Sequence, residues 1–236
     1  MSKLLPSAAY RTEPIEEQND QRQMAYQSIL QSILSLEYAP AKKLGEQELA
    51  ELLGVSRTPV HDALLKLQRE RLADIPPRRG AFVSFLSEER IRNGMWLQEK
   101  ITLSVLHRYF MDHIEKKRLL PLSGLLRQAE KRLEEGTECY SSAMDSFYEL
   151  LFQLPGCCQH LRQSLRYASG DFLRCLRLAQ REPSLCRLQL TLHRCLISAL
   201  EQRNGEEACR IYCAVLSLLE ERLPALIKCY PDYFCS

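Results

Sequence analysis

The chain has 236 residues, 45% hydrophobic and 26% charged, with a formal net charge of +2. That is an ordinary globular composition for one large domain or two small ones. No apolar run approaches the roughly 18–20 residues that span a bilayer, and "MSKLLPSAAYRTEP" lacks an apolar core of signal-peptide length, so a cytoplasmic protein with no membrane partner is expected.

Residues 1–15 read as a mobile tail. Residues 16–36 follow at helical spacing, with Met24, Ile29, Ile33 and Leu36 as the apolar positions. "EYAPAKKLG" breaks the pattern, because a proline disfavours helix in the residue before it. A second helix is predicted over Glu46–Leu53, with Leu49, Leu52 and Leu53 on one side and Gly54 ending it. A third runs from Pro59 to about Arg71, with Thr58 as N-cap and Pro59 in the first helical position. Its inward stripe is Ala63, Leu64 and Leu67, continuing to Leu72. "ADIPPRRGAFVSFL" then predicts a hairpin: a strand near Ala73–Ile75, a basic turn, and a return strand near Ala81–Phe85.

Beyond Ser87 apolar residues recur at helical spacing, with breaks at Pro121, Gly136, Pro155-Gly156, Pro183 and Asn204-Gly205. Six or seven antiparallel helices are predicted, the last closed by Pro224 and Pro231. The expected fold is mainly α: a winged helix-turn-helix of three helices plus a small β-hairpin over residues 16–86, and an all-helical bundle over 87–236.

The chemistry concentrates at the start of the third helix. A helix-turn-helix lays its second helix in the major groove with its N-terminal residues at base edges. Here those are Ser56, Arg57, Thr58 and His61. Arg57 has the fork of donors that matches guanine, while Ser56 and Thr58 suit phosphate at a helix N-terminus. Arg78, Arg79 and Gly80 at the hairpin tip suit the adjacent minor groove. Lys42 and Lys43, in the loop before the second helix, suit backbone phosphate.

The stretch from Ile33 to Val83, "ILSLEYAPAKKLGEQELAELLGVSRTPVHDALLKLQRERLADIPPRRGAFV", resembles the GntR family of bacterial transcription regulators. The resemblance implies a homodimer on a double-stranded DNA operator, read as an inverted repeat by the third helix and the wing. Three positions depart from the family pattern. Gly45 stands where a Ser commonly opens the second helix, which costs only a few tenths of a kcal/mol. Gln47 replaces an Arg and gains the option of reading adenine. His61 replaces another Arg, exchanging a fork of donors for one hydrogen bond. Altered operator preference or lower intrinsic affinity is expected.

The remainder resembles, more loosely, the FadR-type "FCD" effector domain over about Ser87–Leu223. In many such domains an Asp and three His hold zinc or nickel, which helps bind a small organic acid. The matching positions here are Asp145, Glu149 in place of the first His, His193, and Val215, which cannot coordinate. The family's early Arg is also replaced, by Met95, four residues before Glu99. Asp145 and Glu149 share a helix face and repel unless a cation, a hydrogen bond or solvent intervenes. His193 is then either a ligand or a hydrogen-bonded core histidine, so metal-bound, metal-free and purely structural versions of this domain all stand open.

The ten cysteines are scattered through helical segments without a CxxC pair, and most of them read as buried thiols. Cys157-Cys158 and Cys209/Cys213 are the only spacings that suggest redox or metal chemistry. Arg162, Arg166, Arg174 and Arg177 form either a solvated helix face or a site for an anion or acyl phosphate. His107, His113 and His160 read as surface or boundary residues. No nucleophile–base pair, phosphate-binding glycine loop or complete metal set points to an enzyme. Two functions remain: a DNA-binding regulator modulated by a small molecule, or a helical sensor or dimeric interaction protein with weakened specific DNA reading.

Overall fold

The computed structural model describes residues 15–111, 115–154 and 159–235. The expected tail before Ile15, the Pro155-Gly156 break, the Cys157-Cys158 pair and His113 lie outside the described residues.

Helix α1 (Ile15–Leu34) buries Ala25, Tyr26, Ile29, Leu30, Ile33 and Leu34. Met24, expected on that inner face, is 45% exposed; one residue earlier than Ala25, it falls outside the stripe that a 3.6-residue period presents. Strand β1 (Lys43–Leu44) follows, then α2 (Glu46–Leu53), which matches its predicted limits. Gly54 ends α2 in the left-handed region (φ 66°), and its N–H is given to Ala50 and Glu51 carbonyls, the geometry that glycine adopts without steric cost. Leu52 is a further correction: it is 69% exposed, while Leu49 is buried.

Helix α3 spans Arg57–Arg69 with Ser56, in extended conformation, at its N-cap. Thr58 is therefore inside the helix and Pro59 in its first turn. Proline is harmless there because none of the first four N–H groups has an intrahelical acceptor. The inward stripe holds: Val60, Ala63, Leu64, Leu67 and Leu72 are all buried.

The predicted hairpin is present as β2 (Ala73–Asp74) and β3 (Ala81–Val83), each starting where expected and ending one or two residues early. The sheet has a third strand, since β1 pairs antiparallel with β3, Lys43 opposite Phe82, giving the order β1-β3-β2. Lys43 is thus on an edge strand and not in a loop. Two residues carry no alternation to read, so only the partner strand defines β1.

Seven α-helices follow among the described residues: α4 (Glu88–Met111), α5 (Leu120–Glu135), α6 (Thr137–Gln153), α7 (Gln159–Ala168), α8 (Gly170–Ala179), α9 (Pro183–Glu201) and α10 (Gly205–Cys229). Pro121 and Pro183 sit in first turns, and Asn204 caps α10 by accepting from the Glu207 N–H. The break between α7 and α8, at Ser169-Gly170, carried no proline to announce it. Pro224 does not close α10, which runs on to Cys229. Glu220, Glu221, Arg222 and Pro224 are all exposed, so the carbonyl freed by the missing proline N–H faces water.

Three hydrophobic clusters form among the described residues. One is built from α1, α2, α3 and the sheet; a larger one from α4, α5, α6, α8, α9 and α10; and a small one, Val105, Phe152 and Leu165, seats α7 against α4 and α6. The first two meet along α8. Gly170 lies so close to Leu72 that a Cβ would stand 2.6 Å from its Cδ2. Tyr167 packs edge-on against Tyr26, ring centroids 5.8 Å apart, and Arg166 donates to the Gln31 side chain at 3.0 Å. Below them Asp171 accepts from the Ser87 N–H at 2.9 Å and from Arg90 Nε at 2.7 Å, and it pairs with Arg174. Arg174, fully buried, donates to the Ser84 carbonyl at 2.7 Å. The chain's last residues close the same joint: Leu86 N–H donates to Tyr233 O, and Cys235 N–H to Leu86 O, both at 2.9 Å.

Candidate nucleic-acid interface and helical cavity

Lys43, Gln47, Ser56, Arg57, Thr58, His61, Arg78, Arg79 and Gly80 are all exposed. Ser56 at the N-cap sets Arg57 and Thr58 in the first turn of α3, and His61 one turn further along the helix. Glu46, at the start of α2, reaches both: its Oε1 is 2.8 Å from His61 Nδ1, and its Oε2 is 3.6 Å from Arg57 Nη2. Gln47 turns the other way and donates to Glu51 at 3.1 Å. At the wing, Arg78 and Gly80 both have positive φ (63° and 87°), which folds a tight tip between β2 and β3. Lys43 Cε is 3.6 Å from where a Gly80 Cβ would stand, so the edge-strand lysine lies beside the wing tip. Lys42 is engaged instead with the Tyr38 ring, its Nζ 3.8 Å from the centroid.

The second feature is a cavity of about 40 Å³ among α4, α6, α7, α8, α9 and α10. Its apolar wall includes Met144, Phe172, Leu173, Leu176, Val215 and Leu219. Its polar lining contains Asp145 and His193 from the predicted set, together with Arg162, Arg177, Tyr148 and Gln98. Glu149 lies behind this lining, 3.7 Å from Arg162 Nε and 3.6 Å from Arg166 Nη1.

Asp145, His193 and Glu149 do not fit a divalent metal. His193 Nδ1 is 2.6 Å from the Gln189 carbonyl, which only accepts, so Nδ1 carries the proton. Nε2 therefore accepts from the Tyr148 hydroxyl at 2.8 Å, and both ring nitrogens are occupied. Burial lowers the imidazole pKa to about 4, so the neutral ring is the resident form. Asp145 is paired with Arg177, and Glu149 faces two guanidiniums. The like-charge repulsion expected of Asp145 and Glu149 is relieved by arginines. Among the described residues no group of three His, Cys, Asp or Glu is placed to hold a metal ion. Cys209 and Cys213 are partly buried, and their thiols are pushed up by that burial, opposite to the shift that makes a thiolate ligand.

The four arginines are not one solvated face. Arg162 and Arg166 are on α7, Arg174 and Arg177 on α8. Arg174 and Arg162 are only 0% and 4% exposed. Burying a guanidinium is costly without partners, and no period in the sequence announces it. Arg174 has partners for Nη1 and Nη2 at the joint described above, while its Nε has none. Arg162 Nε has none within hydrogen-bond reach, nor has Gln98 Nε2 on α4. His107 is exposed, as expected.

The family model "Bacterial regulatory proteins, gntR family" matches residues 21–83. Along nearly the whole chain there is 26% identity over 233 residues with the HTH-type transcriptional repressor RspR of Escherichia coli (strain K12), covering 94% of this chain and 95% of that one. The HTH-type transcriptional repressor NanR of Cronobacter sakazakii is 27% identical over 210 residues, 80% of this chain and 79% of its own. Among solved structures, E. coli McbR/YncC superposes with a TM-score of 0.73 at 18% identity, over 89% of this chain and 98% of that chain. A putative GntR transcriptional regulator from Rhodococcus sp. RHA1 gives a TM-score of 0.71 at 18% identity, over 89% and 99%. These likenesses establish the winged helix-turn-helix with a helical C-terminal part as a known arrangement.

Proposed function

We propose that this chain, similar over residues 21–83 to the gntR family of bacterial regulatory proteins and along most of its length to HTH-type transcriptional repressors, represses transcription as a homodimer, reading an inverted-repeat operator through α3 and the wing and releasing it when a small molecule enters the helical cavity. The carrying observation is the cluster of exposed Ser56, Arg57, Thr58 and His61 at the start of α3. Arg57 is assigned the base contact, two donors to guanine O6 and N7. Ser56 and Thr58 hold phosphate with the helix N-terminus behind them, and Arg78, Arg79 and Gly80 reach the flanking minor groove beside Lys43. Two copies place their α3 helices one helical turn of DNA apart, about 34–36 Å, or a multiple of it. The protein acts in the cytoplasm; no described helix is long and apolar enough to cross a membrane.

Effector control is supported by the position of α8. Phe172, Leu173, Leu176 and Arg177 line the cavity, while Asp171 and Arg174 of the same helix grip Ser84, Ser87 and Arg90 beside the sheet. A ligand that favours one placement of α8 thereby favours one placement of the winged helix. The test is retardation of DNA from the protein's own upstream region at low salt, followed by mapping of the protected bases. A protected inverted repeat is the expected result. No retardation of any upstream fragment overturns the proposal.

A further inference from the structure

We propose that Tyr167, at the end of α7, latches the base of α3 through Lys66 and Tyr26, and that this latch sets how far apart two copies hold their reading ends. Tyr167 and Lys66 are then positioning residues for half-site spacing. The inference rests on the reading of the protein as a dimer on an inverted repeat and adds to it what fixes the spacing.

The latch lies at the opposite end of α3 from the reading residues. Lys66 is in the last turn of α3 and Arg57 in the first, about 13.5 Å apart along the axis at 1.5 Å per residue. The Lys66 ammonium lies over the Tyr26 ring of α1, 3.6 Å from its centroid, and 5.5 Å from the centroid of Tyr167. Tyr167 meets Tyr26 edge-on at 5.8 Å. A cation is drawn to the negative face of an aromatic ring, and edge-to-face is a favoured arrangement of two rings. Glu70, the C-cap of α3, accepts from the Tyr26 hydroxyl at 2.8 Å and 2.7 Å through its two oxygens. Both charged groups at the base of α3 therefore hold Tyr26, and Tyr167 ties that assembly to the helical part.

Its place among the other contacts gives the latch its role. The α8 contacts, Gly170 on Leu72, Arg174 on Ser84, and Asp171 on Ser87 and Arg90, fall on residues 72–90, where the chain passes from the winged helix into α4. Contacts grouped beside a covalent joint oppose rotation about it only weakly. Tyr167 grips α1 and α3 instead, and Arg166 beside it donates to Gln31 of α1 at 3.0 Å. Two separated grips oppose rotation. Both come from the corner between α7 and α8, and α4 backs that corner closely: a Cβ on Gly94 would stand 2.7 Å from Phe172 Cβ and 3.4 Å from Ser169 Cα.

Half-site spacing is the property that such a grip controls. One added base pair moves a half-site by about 3.4 Å and turns it by about 34° around the duplex. Shared between two copies, that asks each winged helix to turn by about 17°. A latched winged helix does not turn, and simultaneous engagement of both half-sites is lost. An unlatched one turns and keeps it.

The test is fluorescence anisotropy on the full-length protein with three DNAs taken from the protected upstream region: the native repeat, the same repeat with one base pair inserted at its centre, and a single half-site. The unsubstituted protein binds the inserted repeat about 10- to 100-fold more weakly than the native one, and Tyr167→Leu narrows that ratio to about threefold or less, with half-site affinity within about twofold of the unsubstituted protein. Tyr167→Phe keeps the ring and keeps the ratio. Lys66→Met, read by the same ratio so that its lost charge cancels, narrows it too and serves if Tyr167→Leu misfolds. An unchanged ratio in Tyr167→Leu, a ratio lost in Tyr167→Phe, or a half-site affinity that falls as far as that for the native repeat overturns the latch and leaves the operator reading standing. An unsubstituted protein that binds both spacings equally, or protects no repeat at all, overturns both.

Discussion

Glu46 Oε1 sits 2.8 Å from His61 Nδ1, so the first turn of α2 is tied to the N-terminal part of α3 through His61. The same carboxylate reaches Arg57 at 3.6 Å. In the free protein a negative group thus sits on the two side chains proposed to contact DNA. Both contacts are surface pairs, worth well under about 1 kcal/mol each. Glu46→Gln is expected to tighten operator binding about two- to fivefold at low salt, with the difference fading at high salt. Fluorescence anisotropy reads this; weaker binding would mean that Glu46 orients the two residues instead of competing for them.

His61→Arg returns a fixed charge to α3. Tighter binding is expected, and a salt slope steeper by about one unit in log–log form. An unchanged slope would place His61 away from the DNA. Arg57→Ala is expected to cost about 1–3 kcal/mol and to relax discrimination at one base position, as loss of a bidentate guanine contact does. Uniform weakening across operator variants would reassign Arg57 to phosphate.

The winged helix was largely legible from the sequence, and the cavity largely was not, for a shared physical reason. Gly54, Pro59 and the stripe of Ala63, Leu64 and Leu67 act locally, through backbone conformation and helical period, so α2 and α3 could be placed within two residues. β1 could not, because a two-residue strand exists only through Phe82 and Ala81 opposite it. Asp145 and His193 were found by family spacing, and both do line the cavity. Their partners Arg177, Tyr148 and Gln189 come from α8, α6 and α9. Such pairings are set by packing. Arg162 and Arg174 show the limit most plainly: arginine at helical spacing reads as a solvated face, and only the tertiary structure shows two of the four buried.

His193 gives the protein an acid-sensitive core. Its folded pKa is near 4, against an ordinary value of about 6.5. Above pH 6.5 both folded and unfolded rings are neutral, and the histidine adds no pH dependence. As pH falls from 6.5 toward 4 the unfolded chain takes up a proton that the folded one refuses, so stability is lost. The loss is on the order of 3 kcal/mol by pH 4. Denaturant melts across this window should show it, and His193→Gln, which retains an acceptor for Tyr148, should flatten the slope. An identical slope in both proteins would locate the acid sensitivity elsewhere.

Arg174→Ala should be among the most damaging single changes. It leaves Asp171 buried and removes the donor to the Ser84 carbonyl, a loss of about 3–5 kcal/mol for a broken buried pair. Arg92→Ala, which removes exposed pairs to Glu88 and Glu220, should change stability by less than about 1 kcal/mol. Urea unfolding separates the two, and equal effects would mean that Arg174 is solvated in solution.

The strand-like clasp between Leu86 and residues 233–235 links the seating of the winged helix to the order of synthesis. The winged helix leaves the ribosome first and can fold on its own cluster of side chains, as domains generally do during translation. Its seat comes much later. Ser84 waits for Arg174, Leu72 for Gly170, and Leu86 for Tyr233 and Cys235. A nascent chain therefore carries a formed but unseated winged helix. The contacts of α7 and α8 form the joint first, and the two backbone hydrogen bonds to Leu86 complete it only when Tyr233 and Cys235 have been made, so a polypeptide cut short before them would keep the seat on α8 and lose the clasp.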